Sequence, residues 1–379
     1  MFNLDYESLR VIWWVLLGVL LIGFAIMDGF DMGVAICLPF LGKNDLERRM
    51  MINAIGPTWE GNQVWFILGG GAIFAAWPAL YALSFSGFYY AMLLVLLALI
   101  LRPVGFKYRS KLPTQAWRSF WDWALFIGGF VPALIFGVAM GNVLQGVPFH
   151  FDITLRAFYT GSFFALLNPF AILCGLLSVS MLVMHGACFL GVKTQDNVQA
   201  RARTTSLIAA LLCIFLLAYG GIWVSHLSTY VMEAPIAHDG PSNPLYKQIG
   251  VQTAAWLKNY QNNPKLYAVP GMGFLGALSV ILLGNRFKKI AFLSSAMSIL
   301  GIITSVGVSM FPFILPSSSH PNHSLMIWDS SSSMLTLIIM LIATLIFFPI
   351  ILSYTAWVYS VLRGPVTRDV IENHRESAY

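Results

Sequence analysis

The chain has 379 residues, 58% of them hydrophobic and only 10% charged, with a mean hydropathy of +0.74. That composition excludes a soluble globular domain. Runs of about 20 apolar residues, long enough to cross a bilayer, recur from end to end, so the net charge of +6 argues for no nucleic-acid partner. It is the placement of the charges in a lipid-embedded chain that carries information.

The first residues carry Asp5, Glu7 and Arg10, without the basic start of a secretory signal. The first apolar run is therefore expected to remain as a mature helix. Nine spans are predicted: about Val11 to Leu38; two within Met50 to Leu101, broken near Phe85-Ser86-Gly87; Trp121 to Met140; Gly161 to Phe189; Ser206 to His226; Leu266 to Leu283; Ile290 to Phe311; and Met334 to Val361. The chain 1–379 is expected to form a single integral membrane domain.

The positive charges set the orientation. With the N-terminus outside, the inner segments, Arg102 to Arg118 among them, carry 17 of the 22 Lys and Arg residues, against 5 outside. This asymmetry favours an odd number of spans, a periplasmic N-terminus and a cytoplasmic C-terminus. Residues 227–265 form the long periplasmic loop, rich in turn formers, with a short amphipathic helix expected around Tyr246 to Asn259. Asp329 stands where it could cap the last helix.

Four cysteines, Cys37, Cys174, Cys188 and Cys213, fall in apolar segments without a CxxC pair, and read as buried thiols. His185 is the histidine well inside a span. One such residue is thin support for haem ligation, which needs well-placed axial ligands. No P-loop, dinucleotide fingerprint, HExxH or nucleophile elbow occurs.

The residues that stand out are acids inside apolar runs, where each costs about 2.5–3.5 kcal/mol at a helix centre. Asp28 and Asp31 are three apart and share one face of the first helix. Asp31 lies roughly 15 Å from the inner end of that helix, and Glu60 roughly 16 Å in from Arg49. A short loop joins helices one and two, so antiparallel packing is expected to bring Asp31 and Glu60 to one depth. Carboxylates open toward the inner side suit proton relay. They equally suit a structural role as hydrogen-bonded helix glue, near Asn62, Gln63 or a Trp N–H. Spacing leaves both readings open. A proton-coupled secondary transporter or channel would also place acids mid-membrane, although no inverted repeat is visible.

An ordered set of motifs resembles a known family: IWW (Ile12 to Trp14), DGFDMG (Asp28 to Gly33), WEGNQVW (Trp59 to Trp65), FAAWP (Phe74 to Pro78), SGFY (Ser86 to Tyr89), RPVGFKYRSK (Arg102 to Lys111), GNVLQGVPF (Gly141 to Phe149), FPFILPSS (Phe311 to Ser318), WDSSSSMLTL (Trp328 to Leu337) and YTAWVY (Tyr354 to Tyr359). Each is weak alone. Together they extend over nearly the whole chain and look like subunit II of cytochrome bd quinol oxidase.

The resemblance implies an all-α polytopic fold of about nine transmembrane helices, two four-helix bundles plus a peripheral helix, in a bacterial inner membrane. It implies a partner, subunit I, that carries two b-type haems and one d-type haem and oxidises quinol while oxygen is reduced to water. This chain would ligate no haem, and His185 becomes a packing or hydrogen-bonding residue. Small accessory membrane subunits and a structural quinone occur in some relatives. The resemblance also implies a proton route from the cytoplasm, carried over onto Asp28, Asp31 and Glu60. Trp65 matches a residue at an oxygen access route. Lys107 departs from relatives that have an acid there, which shifts the expected cytoplasmic mouth toward Ser110, Lys111 or Tyr379.

Overall fold

A computed structural model of the chain describes residues 5–284, 286–367 and 371. The first helix, α1 (Tyr6–Leu41), starts where the Asp5 carboxylate accepts the Ser8 N–H, an N-cap that satisfies one of the otherwise unpaired first-turn donors. The second crossing is assembled from α2 (Asp45–Ile55), α3 (Trp59–Asn62) and α4 (Val64–Ala76). It breaks around Gly56-Pro57-Thr58, because proline has no N–H to continue the ladder. A short helix α5 (Pro78–Gly87) leads into α6 (Tyr89–Tyr108). Then follow α7 (Gln115–Gln145), α8 (Pro169–Lys193), α9 (Asp196–Val224), the short α10 (Lys258–Asn262), α11 (Ala268–Leu283), α12 (Lys288–Met310) and α13 (Met334–Val361).

Among the described residues, eight helices are long and apolar enough to cross a membrane. The broken α2–α4 segment supplies the remaining expected span. Its interruption at the Pro57 step is why no single piece of it has the length. The breaks in this part of the chain fall at Thr58, Gln63, Trp77 and Phe88, more of them than the one expected near Phe85 to Gly87.

One bundle comprises α1, α4, α6 and α7, and the other α8, α9, α11 and α12. They join where α1 and α7 pack on α8. Helix α13 lies outside both, against α1 and α4, with Leu337 as its buried residue. The chain is an all-α polytopic membrane protein of about nine helices. Its cysteines are free thiols; Cys37, Cys188 and Cys213 are buried and Cys174 is partly so.

Three two-stranded antiparallel hairpins gather at the end of the bundles opposite the basic loops: β1 (Phe149–Phe151) with β2 (Ala157–Tyr159), β3 (Ser228–Met232) with β4 (Ile249–Thr253), and β5 (Phe313–Leu315) with β6 (Leu325–Met326). An aromatic core of Trp13, Trp77, Phe149, Trp256, Phe313 and Trp328 welds these hairpins to the helix ends. The helix expected around Tyr246 to Asn259 is confined to the last residues of that segment, and its middle is strand. Ile249 to Thr253 pairs with Met232 to Ser228. Asp329 does not cap α13. Ser333 does so, accepting the Thr336 N–H, while Asp329 forms a buried ion pair with Lys247 at 2.5 Å. Asp329 is four residues too early for the cap, and the Lys247 ammonium gives it a stronger partner.

Candidate functional site

The intramembrane acids are held at the join of α1 with α3 and α6. The DGFDMG motif splits its residues between two faces of α1. At 100° per residue, Asp28 and Asp31 share one sector, while Gly29 and Gly33 turn toward α8, where Leu182 sits against both. Without side chains at those positions, α8 comes close enough to seal the site from behind.

Asp28 and Asp31 are 1% and 0% exposed. Asp28 is neutralised by Arg102, which is itself fully buried. The guanidinium grips the carboxylate with both terminal nitrogens, at 3.0 and 2.8 Å, the bidentate geometry that makes such pairs strong. Arg102 also lies 5.9 Å from the Trp59 ring centroid, and that ring stacks on Phe106. The sequence places Arg102 in the inner basic loop. The structure continues α6 to Tyr108, so Arg102 lies inside the helix and out of water. Its distance of 74 residues from Asp28 hides the pairing, although its place before Pro103, ahead of the solvated Lys107, is a trace of it.

Among the described residues, Asp31 forms no ion pair. Its Oδ2 accepts a hydrogen bond from Asn62 Nδ2 at 2.7 Å, and Asn62 Oδ1 accepts one from the Tyr359 hydroxyl at 2.8 Å. Asp31 Oδ1 is buried with no hydrogen-bond partner among the described residues. Arg102 therefore fixes one carboxylate, and Asn62 holds the other.

The helix that carries Glu60 reaches Asp31, but through Asn62; the Glu60 side chain itself turns away. It is exposed on the surface of this chain, whereas Trp59 and Asn62 beside it are buried. The reason is angular. Two residues apart on a helix means about 200° of rotation, so when Asn62 faces Asp31, Glu60 points away from the bundle. Trp65 is buried, edge-on to Phe348 with centroids 5.7 Å apart. A Cβ on Gly23 would come within 2.3 Å of its ring, so Trp65 is clamped between α1 and α13.

Lys107, in the last turn of α6, and Ser110 and Lys111, just beyond it, are exposed at the basic end. Tyr379 lies outside the described residues. The same end holds a charge network that the sequence did not suggest. Asp122, 1% exposed, takes Arg109 at 2.5 Å and Arg48 at 2.7 Å. Asp45 takes Arg109 at 3.0 Å and Arg118 at 2.9 Å. These contacts lock α2, α6 and α7 together.

His185 is buried with both ring nitrogens engaged, Nδ1 with Ser295 Oγ at 2.7 Å and Nε2 with the Ile26 carbonyl at 3.0 Å. It stacks on Phe292 with centroids 4.7 Å apart. This is the packing and hydrogen-bonding role expected for it. Among the described residues, no cluster of His, Cys, Asp or Glu is arranged to hold a metal ion.

An apolar cavity of about 250 Å³ lies between α6, α7 and residues 163–167. Its polar lining residue, Asn142, donates to the Val138 and Leu166 carbonyls and accepts from Asn168. With that amide committed, the cavity offers no donor for a quinone head group, and the residues present do not fit one there.

A helical fold with membrane-length apolar helices and two buried acids, Asp28 paired with Arg102 and Asp31 hydrogen-bonded to Asn62, defines a polytopic integral membrane protein with charged groups inside the bilayer. Comparison with known proteins gives the family. Residues 9–362 match the family Cytochrome bd terminal oxidase subunit II. The chain is 52% identical to a probable cytochrome oxidase subunit 2 of Haemophilus influenzae, over 99% of this chain and 100% of that one. It is 50% identical to the cytochrome bd-I ubiquinol oxidase subunit 2 of Escherichia coli K12, with the same coverage. It is 32% identical to the cytochrome bd ubiquinol oxidase subunit 2 of Bacillus subtilis, over 95% and 97%. A solved bd oxidase from Geobacillus thermodenitrificans shares the fold, with a TM-score of 0.62 at 14% identity over 94% of this chain and 98% of that one. The chain belongs to the cytochrome bd terminal oxidase subunit II family and is a subunit of a respiratory terminal oxidase.

Proposed function

We propose that this chain is the non-haem core subunit of a quinol:oxygen oxidoreductase, which scaffolds a haem-bearing subunit I and supplies it with protons from the cytoplasm. The basic end of the bundles is the cytoplasmic one by the positive-inside bias. The N-terminus and residues 227–265 are then periplasmic, in an inner membrane. Haems b and d belong to subunit I, and quinol and oxygen are substrates of the complex.

The single observation that carries the relay is Glu60. It is exposed on this chain yet belongs to a membrane crossing, where an ionisable group facing lipid is costly. A protein surface must cover it, and the partner subunit is the natural occupant. Behind it stand Asp31, hydrogen-bonded to Asn62, and Asp28, held by Arg102. Protons enter from the Ser110, Lys111 and Tyr379 side, move by way of the buried acids, and leave through Glu60 toward the oxygen-reducing site, contributing to a proton motive force. Trp65, clamped between two helices, borders the oxygen access route on this reading.

Glu60→Gln keeps shape and removes the exchangeable proton. The expected result is slowed oxygen consumption with unchanged haem content and complex yield. Wild-type turnover would remove Glu60 from the route, and loss of assembly would make it structural glue.

A further inference from the structure

We infer that Tyr359 and Asn62 form a hydrogen-bond switch on Asp31, with Tyr359 the positioning residue that holds the Asn62 amide in register with the protonation state of the acid. The inference rests on the relay reading above and adds two residues to it.

An amide has two ends of nearly equal shape and opposite hydrogen-bond character. Turning Asn62 over changes no packing volume, but it changes what Asp31 meets. In the arrangement observed, the Tyr359 hydroxyl donates to Asn62 Oδ1 and Asn62 Nδ2 donates to Asp31 Oδ2. That order suits a carboxylate, which only accepts. When Asp31 takes a proton it becomes a donor. The complementary order then has Asp31 donating to Asn62 Oδ1, and Asn62 Nδ2 donating to the Tyr359 oxygen. A hydroxyl can donate or accept, so Tyr359 satisfies both orders by rotating its O–H. No bond is made or broken beyond the O–H carrying the proton on Asp31.

The surroundings support a dedicated role for Tyr359. Helix α13 is peripheral, and most of its side chains face outward. Near its end, however, it is fastened to α8. Lys193 Nζ donates to the Leu362 carbonyl at 2.5 Å and to Gly364 at 3.2 Å, and the Val366 N–H donates to the Lys193 carbonyl at 2.8 Å. The fastening lies within a turn or so of the Tyr359 hydroxyl, which bonds Asn62, and the Tyr359 ring rests edge-on against Phe30 at 6.5 Å. Among the described residues, the charged and titratable groups around Asp31 are Asp28 on its own helix, Arg102 on α6 and Tyr359 on α13, while α3 contributes the neutral Asn62.

The test uses the whole membrane complex. Infrared difference spectra assign the Asp31 carboxyl band by its loss in Asp31→Asn. In Tyr359→Phe that band is expected to shift in frequency. The pH midpoint of oxygen consumption is expected to move by roughly 0.7 unit, and turnover at fixed pH to fall about five-fold, the scale of one neutral hydrogen bond. Haem content and the KM for quinol should stay at wild-type values, which separates positioning from misfolding. A wild-type band and pH profile in Tyr359→Phe overturns the switch, even where Asp31→Asn slows turnover and the relay stands. If Asp31→Asn removes no band, Asp31 does not change protonation, and relay and switch fall together.

Discussion

Arg102 and Asp28 meet through two parallel hydrogen bonds, 3.0 and 2.8 Å long, between side chains that are 0% and 1% exposed. Removing one partner of such a pair strands a charge in an apolar interior, at about 3–5 kcal/mol. Arg102→Met should therefore abolish or sharply reduce assembled complex, read as yield and thermal stability of purified membranes. Replacing both partners, Arg102→Met with Asp28→Leu, should recover most of the yield, since apolar isosteres often equal a buried pair. On the proposed relay, oxygen consumption of the double variant should stay low, because one of its acids is gone.

The hairpin end holds a second buried pair, Lys247 with Asp329, at 2.5 Å. Burial raises the Asp329 pKa and lowers that of Lys247, each against the pull of its partner. The Met326 N–H also donates to the Asp329 carboxylate, at 3.0 Å. Lys247→Met should loosen the junction of β4 with the segment before α13, again by about 3–5 kcal/mol. Limited proteolysis in residues 233–248 is the measurement. Rapid cleavage is expected for Lys247→Met, and cleavage close to wild type for the Lys247→Met, Asp329→Leu double variant.

Acid should open the β1–β2 hairpin. The Phe151 N–H donates to His323 Nδ1 at 3.0 Å, which requires that nitrogen to be unprotonated. His323 stacks on His320, which in turn lies against His150. Burial first, then His320, His150 and Lys247, hold the His323 pKa below its ordinary value of 6.5. A histidine whose native pKa is depressed binds fewer protons folded than unfolded, so stability rises with pH in that window. The contribution is complete above the ordinary value. It is lost progressively as pH falls through that value toward the lower native one. Hydrogen exchange of peptides covering 149–159 should accelerate across this range, and His323→Gln should flatten the dependence.

Helices α1 and α8 touch at two glycines. A Cβ on Gly33 would lie 2.1 Å from the Leu182 carbonyl oxygen, and one on Gly186 would lie 2.6 Å from the Gly33 carbonyl carbon. Both obstacles are backbone and cannot turn aside. Gly33→Ala and Gly186→Ala should each destabilise by about 1–3 kcal/mol or more, seen as a lower thermal midpoint of the complex. Gly18→Ala on the same helix meets nothing within 4 Å and should leave the midpoint at or slightly above wild type.

How far the site was legible depends on the range of each contact. The aspartates of DGFDMG stood out because a charge inside an apolar run is conspicuous in one dimension. Asn62 was legible only as one of three candidate partners for a buried acid, with Gln63 and a Trp N–H, because nothing in the sequence ranks them. Depth matched the helix of Glu60 to Asp31 but not the Glu60 side chain, because depth along two helices says nothing about rotation around them. Arg102, Tyr359 and Asp122 were missed for another reason. Each is an ordinary helix-end residue in sequence and acquires its meaning from a helix distant along the chain. Asp329 looked like a cap by proximity, yet its partner is 82 residues away.

Sequence alone determined that this chain lives in a membrane, about how many times it crosses, which helices carry acids, and which family its motifs resemble. Those features are local: hydropathy, spacing and the order of short motifs are properties of a line of residues. Only the tertiary structure decided the pairings, with Arg102 on Asp28, Asn62 and Tyr359 on Asp31, and Glu60 turned outward. Pairing depends on helix rotation and on the close approach of backbones at glycines, and packing in three dimensions fixes both.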